Sequence, residues 1–266
     1  SPIPGVAISS VTIAASSTAF KAAAESGLRS LTAAFYAISV PGEGSAAFSP
    51  PAMLRVVVNG TGVDPVQVAI YRFTGETWTI APITNQRVEV LPGGSLLVSG
   101  QLVSAALYGV FADSAEPEVT VLAPRDGSLA GSRAPLIEAR YGDPGSGLAP
   151  TAVSLLVDGA TVDPVVVTTG DGRSATATFR PMGLAEGLHT VLASAVDRAG
   201  NVGGAQSFFN VDLTPPKVAL QAPLAGDRYV ALLSSITVRF TVGDNFDPTP
   251  RFEAALIQRE DRGSRR

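Results

Sequence analysis

Apolar and polar positions alternate in short runs along most of this chain, and turn residues interrupt them every few positions. A period of two is the mark of a β-strand with one buried face. Such runs fall at residues 6–14, 31–40, 53–59, 67–73, 77–80, 87–91, 95–99 and 107–111. They continue at 118–122, 135–141, 152–157, 165–169, 175–179, 188–196 and 205–211. In 135–141 (PLIEARY), Ile137, Ala139 and Tyr141 fall on one face and are expected to meet a core, with Leu136, Glu138 and Arg140 on the other. The connections carry turn chemistry: Asn59-Gly60, Thr74-Gly75-Glu76, Pro92-Gly93-Gly94, Asp158-Gly159 and Gly170-Asp171-Gly172 all suit hairpins. Residues 20–27 (FKAAAESG) are the best helix candidate, about two turns long and closed by a glycine.

Many short strands at close spacing predict an all-β protein built of β-sandwich modules. The chain also repeats. Pro117-Glu118-Val119 and Pro216-Lys217-Val218 each open a module, and their prolines lie 99 residues apart. Each opening is followed by an Ala-Pro pair (123–124, 222–223), a second strand, and a Gly-Asp turn (142–143, 243–244). A fixed period of this kind is the signature of an array of modules. The expected division is 1–113, 114–216, and an incomplete module at 217–266 that covers about half a period. The proline pair at 215–216 restricts the backbone between modules, so the expected array is extended and semi-rigid. An incomplete sandwich has an open edge, which a strand from another chain can complete. The apolar stretch 6–14 is the candidate donor.

Two resemblances sharpen this picture. The strings FSPPAMLRVVV, VAIYRFTGETWTIAP and LYGVFAD, within residues 36–112, are similar to the ZU5-like β-sandwich of large bacterial repeat proteins. The second module resembles the bacterial immunoglobulin-like repeat through five motifs in order: DPGSGLAPTAV, LLVDG, LAEGLHTV, AVDRAGN and FNVDLTPP. The second resemblance implies an immunoglobulin-like sandwich of the kind found in tandem in adhesins, surface-layer-associated proteins and secreted multidomain enzymes. It also implies a bacterial cell-surface or secreted location.

Composition narrows the chemistry. A net charge of −4 gives no basic footprint for nucleic acid. Cysteine is absent, so thiolate metal sites and disulfides are not available. The longest mostly apolar run, 102–112, falls short of the ~20 residues of a spanning helix. The chain begins at Ser1 without a leader, which reads as a mature or excised fragment. The single histidine, His189, lies in a predicted strand, and no nucleophile–base motif, phosphate loop or H-E-x-x-H motif is present. No catalytic residue is expected, and the chain is read as a non-enzyme.

Calcium is the one ligand suggested, because it takes six to eight oxygens from carboxylates and carbonyls in flexible loops. Asp143, Asp197, Asn201 and Asp212 stand in loops or at the module end. Sandwich topology brings Asp143, Asp197 and Asn201 to one pole, and Asp244, Asn245 and Asp247 form the parallel set. The competing reading makes these residues caps of their own turns. Tyr71, Trp78, Tyr108 and Phe111 are expected in the core, against a carbohydrate-stacking platform as the other reading. The expected function is a structural or adhesive stalk or spacer, with neighbouring modules and a protein or carbohydrate surface as partners. The alternatives are an accessory region of a secreted enzyme and a filament subunit that self-associates through the incomplete module.

Overall fold

The computed structural model describes residues 7–11, 17–32, 35–39, 47–224 and 237–254. Parts of the predicted segments 6–14 and 31–40 lie outside these residues, as do residues 255–266 of the expected incomplete module.

The first sandwich contains β1 (Ala7–Val11), α1 (Thr18–Glu25), β2 (Leu28–Ser30), β3 (Phe35–Ser39), β4 (Ala47–Asn59), β5 (Val68–Phe73), β6 (Trp78–Thr79), β7 (Thr84–Val90), β8 (Ser95–Ser104) and β9 (Ala106–Asp113). One sheet has the order β1-β3-β9-β5-β6, with β2 also paired to β9; the facing sheet is β4-β8-β7. Alternation builds the core between them. Leu54, Val56 and Val58 point in from β4, against Ile70, Val98, Leu102, Tyr108 and Val110. The odd-numbered positions between them, Arg55 and Val57, face solvent.

The outer face of the larger sheet is also covered. Ala19, Ala22 and Ala23 of α1 pack with Leu28, Phe35, Tyr71, Trp78 and Phe111. The helix starts where the Ser17 side chain accepts from the Phe20 amide. It ends at Gly27, whose φ of 72° is the left-handed conformation that closes a helix. Trp78 is fully buried, its Nε1 donates to the Ala19 carbonyl at 2.7 Å, and its ring lies 4.6 Å from that of Phe111 and 5.1 Å from that of Phe35. Tyr71, Tyr108 and Phe111 are equally buried, so the four rings form core and not an exposed stacking row.

The second sandwich contains β10 (Glu118–Ala123), β11 (Ser128–Ala130), β12 (Ile137–Gly142), β13 (Leu148–Val157), β14 (Ala160–Thr161), β15 (Val165–Thr168), β16 (Ser174–Phe179), β17 (Gly187–Asp197) and β18 (Val202–Val211). Its sheets run β10-β12-β16-β15 and β11-β18-β17-β13-β14. Ile137, Ala139 and Tyr141 are fully buried, as their alternation predicts. Small residues (Ala139, Ala175, Ala177, Ala193, Ala195) make room for Tyr141, Leu155 and Phe209. Asp158 and Gly159 both take positive φ, 51° and 78°, as the tight hairpin between β13 and β14 demands. The short β11 was not foreseen. It runs parallel to β18, so the chain leaves one sheet after β10 and joins the other.

The next repeat opens with β19 (Lys217–Ala222) and β20 (Arg239–Gly243), an antiparallel pair. Its register repeats that of β10 and β12 one period earlier: Lys217 faces Gly243 as Glu118 faces Gly142, and in each first strand the register shifts across the next-to-last residue. The described residues form all-β sandwich modules. Among them no helix is long and apolar enough to cross a membrane.

Candidate metal centre at the module junction

Three strand ends converge where the first sandwich meets the second. Asp113 is the last residue of β9, Asp143 follows β12, and Asp197 ends β17. Each is held by its own turn. One Asp113 oxygen accepts from the Ala115 amide at 3.2 Å and the other from the Ser146 amide at 2.6 Å. Asp143 accepts from the amides of Gly145 and Gly147 and from the Ser146 hydroxyl. Asp197 accepts the Asn201 amide at 2.8 Å and the Asn201 side chain at 2.7 Å. Asn201 then reaches across the junction: its Nδ2 donates to the Asp113 carbonyl, and its Oδ1 accepts from Gln67 at 2.8 Å.

One oxygen from each of Asp113, Asp143 and Asp197 lies within 4.8 Å of the other two, and all three residues are buried. Two like charges at such a separation repel by on the order of 3 kcal/mol at an effective dielectric of about 20. Among the described residues no cationic side chain pairs with them, and the single ion pair is His189 with Asp158, elsewhere in the second sandwich. The nearby guanidinium groups bond carbonyls instead: Arg173 to that of Trp78, Arg198 to that of Ser146. Burial, then the charge of Asp113, pushes Asp143 above the usual carboxylate range against the pull of the Gly147 and Gly145 amides. Burial does the same to Asp197, opposed by its bonds from Asn201.

Tyr71 is buried near enough to feel these charges. Its hydroxyl is buried and has no partner. Burial first, then the charges of Asp113, Asp143 and Asp197, drive its pKa far above the usual phenol value. The pole therefore holds three buried carboxyl groups with no protein cation in an ion pair with them among the described residues. The donor set is all oxygen, which suits a hard divalent cation and not zinc or copper. Oxygens no more than 4.8 Å apart are close enough for one ion bonded at ~2.4 Å to each to bridge them.

Three of the sequence-derived ligands, Asp143, Asp197 and Asn201, meet at this pole. Asp212 does not. β18 carries the chain from Val202 to Val211, the opposite end of the sandwich, at ~3.3 Å per residue. There Asp212 accepts from the Thr214 amide at 3.1 Å and stands beside Asp244. Asp244 accepts the amides of Phe246 and Asp247, and Asn245 bonds Glu186. Asp113 is the residue that sequence reading missed. The period carries the signal: Asp113 and Asp212 stand at the same offset before Pro117 and Pro216.

Gly145 is a sharp probe of the pole. A Cβ there would lie 2.4 Å from Oδ2 of Asp113. Gly145→Ala is expected to displace that carboxylate, cost about 1–3 kcal/mol, and abolish any calcium response in a thermal titration.

His189 is part of a structural latch. Nδ1 lies 2.8 Å from Asp158 Oδ2, Nε2 lies 2.9 Å from the Ala185 carbonyl, and the ring packs on Phe209. Both partners are acceptors, so the geometry favours the doubly protonated ring. Burial works against that charge, but the bonds to Asp158 and Ala185 outweigh it and raise the pKa above the usual histidine value. A raised folded-state pKa gives stability that is complete below the unfolded value and lost as pH rises through the folded one. Denaturant midpoints are expected to fall as pH rises past neutrality, and Asp158→Asn should flatten that dependence.

No family model matches the chain, and no curated protein matches it. Solved structures similar to it include CopC from Methylosinus trichosporium OB3b (19% identity, 36% of this chain and 94% of that one, TM-score 0.27). They also include the fibronectin(III)-like modules of Clostridium thermocellum CbhA (19% identity, 63% and 94%, TM-score 0.27). Dimeric latent PorU from Porphyromonas gingivalis is a third (14% identity, 82% of this chain, TM-score 0.32), and the chain spans 25% of its length.

Proposed function

We propose that this chain is a non-catalytic stalk or spacer of a bacterial surface or secreted protein, in which calcium locks one β-sandwich module to the next. The observation that carries the reading is the buried trio Asp113, Asp143 and Asp197, contributed from both sides of the junction and without a paired protein cation among the described residues. Asp113 belongs to the first sandwich, Asp143 and Asp197 to the second. An ion shared by them neutralises their repulsion and fixes the angle between modules. The extracellular location is part of the same reading, because weak calcium sites of extracellular modules work at ~10⁻⁴–10⁻³ M.

Burial of Trp78 and its neighbouring rings leaves the carbohydrate-binding alternative without its platform. The test is inter-module distance. With spin labels on exposed positions of the two sandwiches, calcium is expected to give one narrow distance distribution and a chelator a broad one. Equal widths in both conditions would remove the ion from the junction and leave a spacer set by hydrogen bonds alone.

A further inference from the structure

A cleft of about 500 Å³ lies where the first sandwich meets the second, within the ~300–1,000 Å³ range of small-molecule sites. The shortness of β6 creates it. β6 pairs only with Arg72 and Phe73, so among the described residues no strand flanks the first half of β5 on that side. Gln86 of β7 takes the place of a strand there. Its Oε1 accepts from the Ile70 amide at 2.8 Å, and its Nε2 donates to the Ile70 carbonyl at 3.1 Å. The backbone of Ile70 is thereby satisfied without a neighbouring strand, and the space beside it is the cleft.

The walls are mostly apolar. Val66, Ile80, Ile83 and Val88 come from the first sandwich and Ala199 from the second. Arg87 of β7 and Arg198, in the turn after β17, also line the space, and no carboxylate does. Both arginines are exposed, and among the described residues neither is in an ion pair. Arg198 is steadied by a neutral group, the Ser146 carbonyl at 3.2 Å. Tyr71 lines the cleft as well, and its buried hydroxyl has no partner.

We propose that this cleft binds an aliphatic carboxylate. Charge complementarity selects an anion, because the lining carries two cations and no acid. The apolar walls select a hydrocarbon body, whose burial supplies the affinity. A guanidinium presents paired N–H donors that match the two oxygens of a carboxylate. The walls come from both sandwiches, so the bound molecule touches both and its binding is coupled to their relative placement. None of Asp113, Asp143 and Asp197 lines the cleft, so the proposal stands apart from the calcium reading.

Equilibrium dialysis of the full chain against octanoate, from about 10 µM to about 3 mM, tests the proposal. Chelator is present throughout, which keeps the outcome separate from that of the calcium titration. Saturable binding is expected. Octanol, the same hydrocarbon without the charge, should bind about tenfold more weakly. Arg87→Gln and Val66→Glu should each weaken octanoate by about tenfold. Arg87 is exposed and Val66 is 71% exposed, so both variants keep the core intact. Absence of saturation overturns the proposal. Octanol binding as tightly as octanoate also overturns it, because the cleft would then be an apolar gap without anion selectivity. So does octanoate binding that is unchanged in both variants, which would place it on another surface. If one variant loses its fold by calorimetry, the other decides.

Discussion

Calcium at 100 times its dissociation constant is expected to raise the unfolding free energy of the intact chain by about 2.7 kcal/mol. The physical source is relief of repulsion among Asp113, Asp143 and Asp197, which burial keeps from being screened by solvent. The variant Asp113→Asn makes the expectation specific. It removes one of three charges and keeps the side-chain shape. In chelator the relief of a repelling charge is set against one of the two backbone amides, of Ala115 or Ser146, that the carboxylate accepts and the amide nitrogen cannot, so the net loss there should stay small, within about 1–3 kcal/mol. In calcium it should lose most of the metal-dependent increment. The loss is thus larger in calcium than in chelator, a difference that loss of packing, equal in both conditions, cannot imitate. Magnesium is the informative control, since it demands near-octahedral geometry at ~2.0–2.1 Å and should stabilise less. Calorimetry with and without each ion reads all of this. Equal transitions in calcium and chelator would leave the aspartates as caps of their own turns.

Trp78→Ala is expected to cost about 3–5 kcal/mol, the range for deleting a fully buried large aromatic. Its ring touches Phe35, Phe73 and Phe111, and its Nε1 bond to Ala19 ties α1 to the sheet. Urea unfolding should show the loss, and limited proteolysis should show earlier cutting near residues 18–25. Trp78→Phe keeps a ring in the cluster but loses the hydrogen bond, and should cost distinctly less. A purely surface role for Trp78 predicts unchanged stability in both variants, which its complete burial contradicts.

Alternation located most strands because one face of nearly every strand meets a core. Ile137, Ala139 and Tyr141 are the clearest instance. The misses have particular causes. β8 continues to Ser104, past Gly100, where composition suggests a stop. A Cβ at Gly100 would come within 2.9 Å of Ile83 and 3.2 Å of Ile70, so this glycine serves close packing of the two sheets. β11 is three residues long and shows no usable period. The helix begins before Phe20 because Ser17 caps it, a signal hidden in a run of small residues. Asp143, Asp197 and Asn201 were legible as one pole because they flank strands of one sandwich. Asp113 was not, because its partners belong to the next module and only the period connects them.

The parallel pairing of β11 with β18 has a mechanical meaning. The chain enters the second sandwich at the pole of Asp113 and leaves at the pole of Asp212. Tension between the two ends would reach β11 from its N-terminal side, through β10, and β18 from its C-terminal end. Because the strands run the same way, that load slides them past each other. The rungs Ser128–Phe209, Leu129–Asn210 and Ala130–Val211, and the Gly127 and Asp212 amide bonds beside them, must then fail together. A hairpin pulled from its open end would instead unzip rung by rung. Standing behind β10 on the load path, this small strand is expected to resist stretching better than its length suggests.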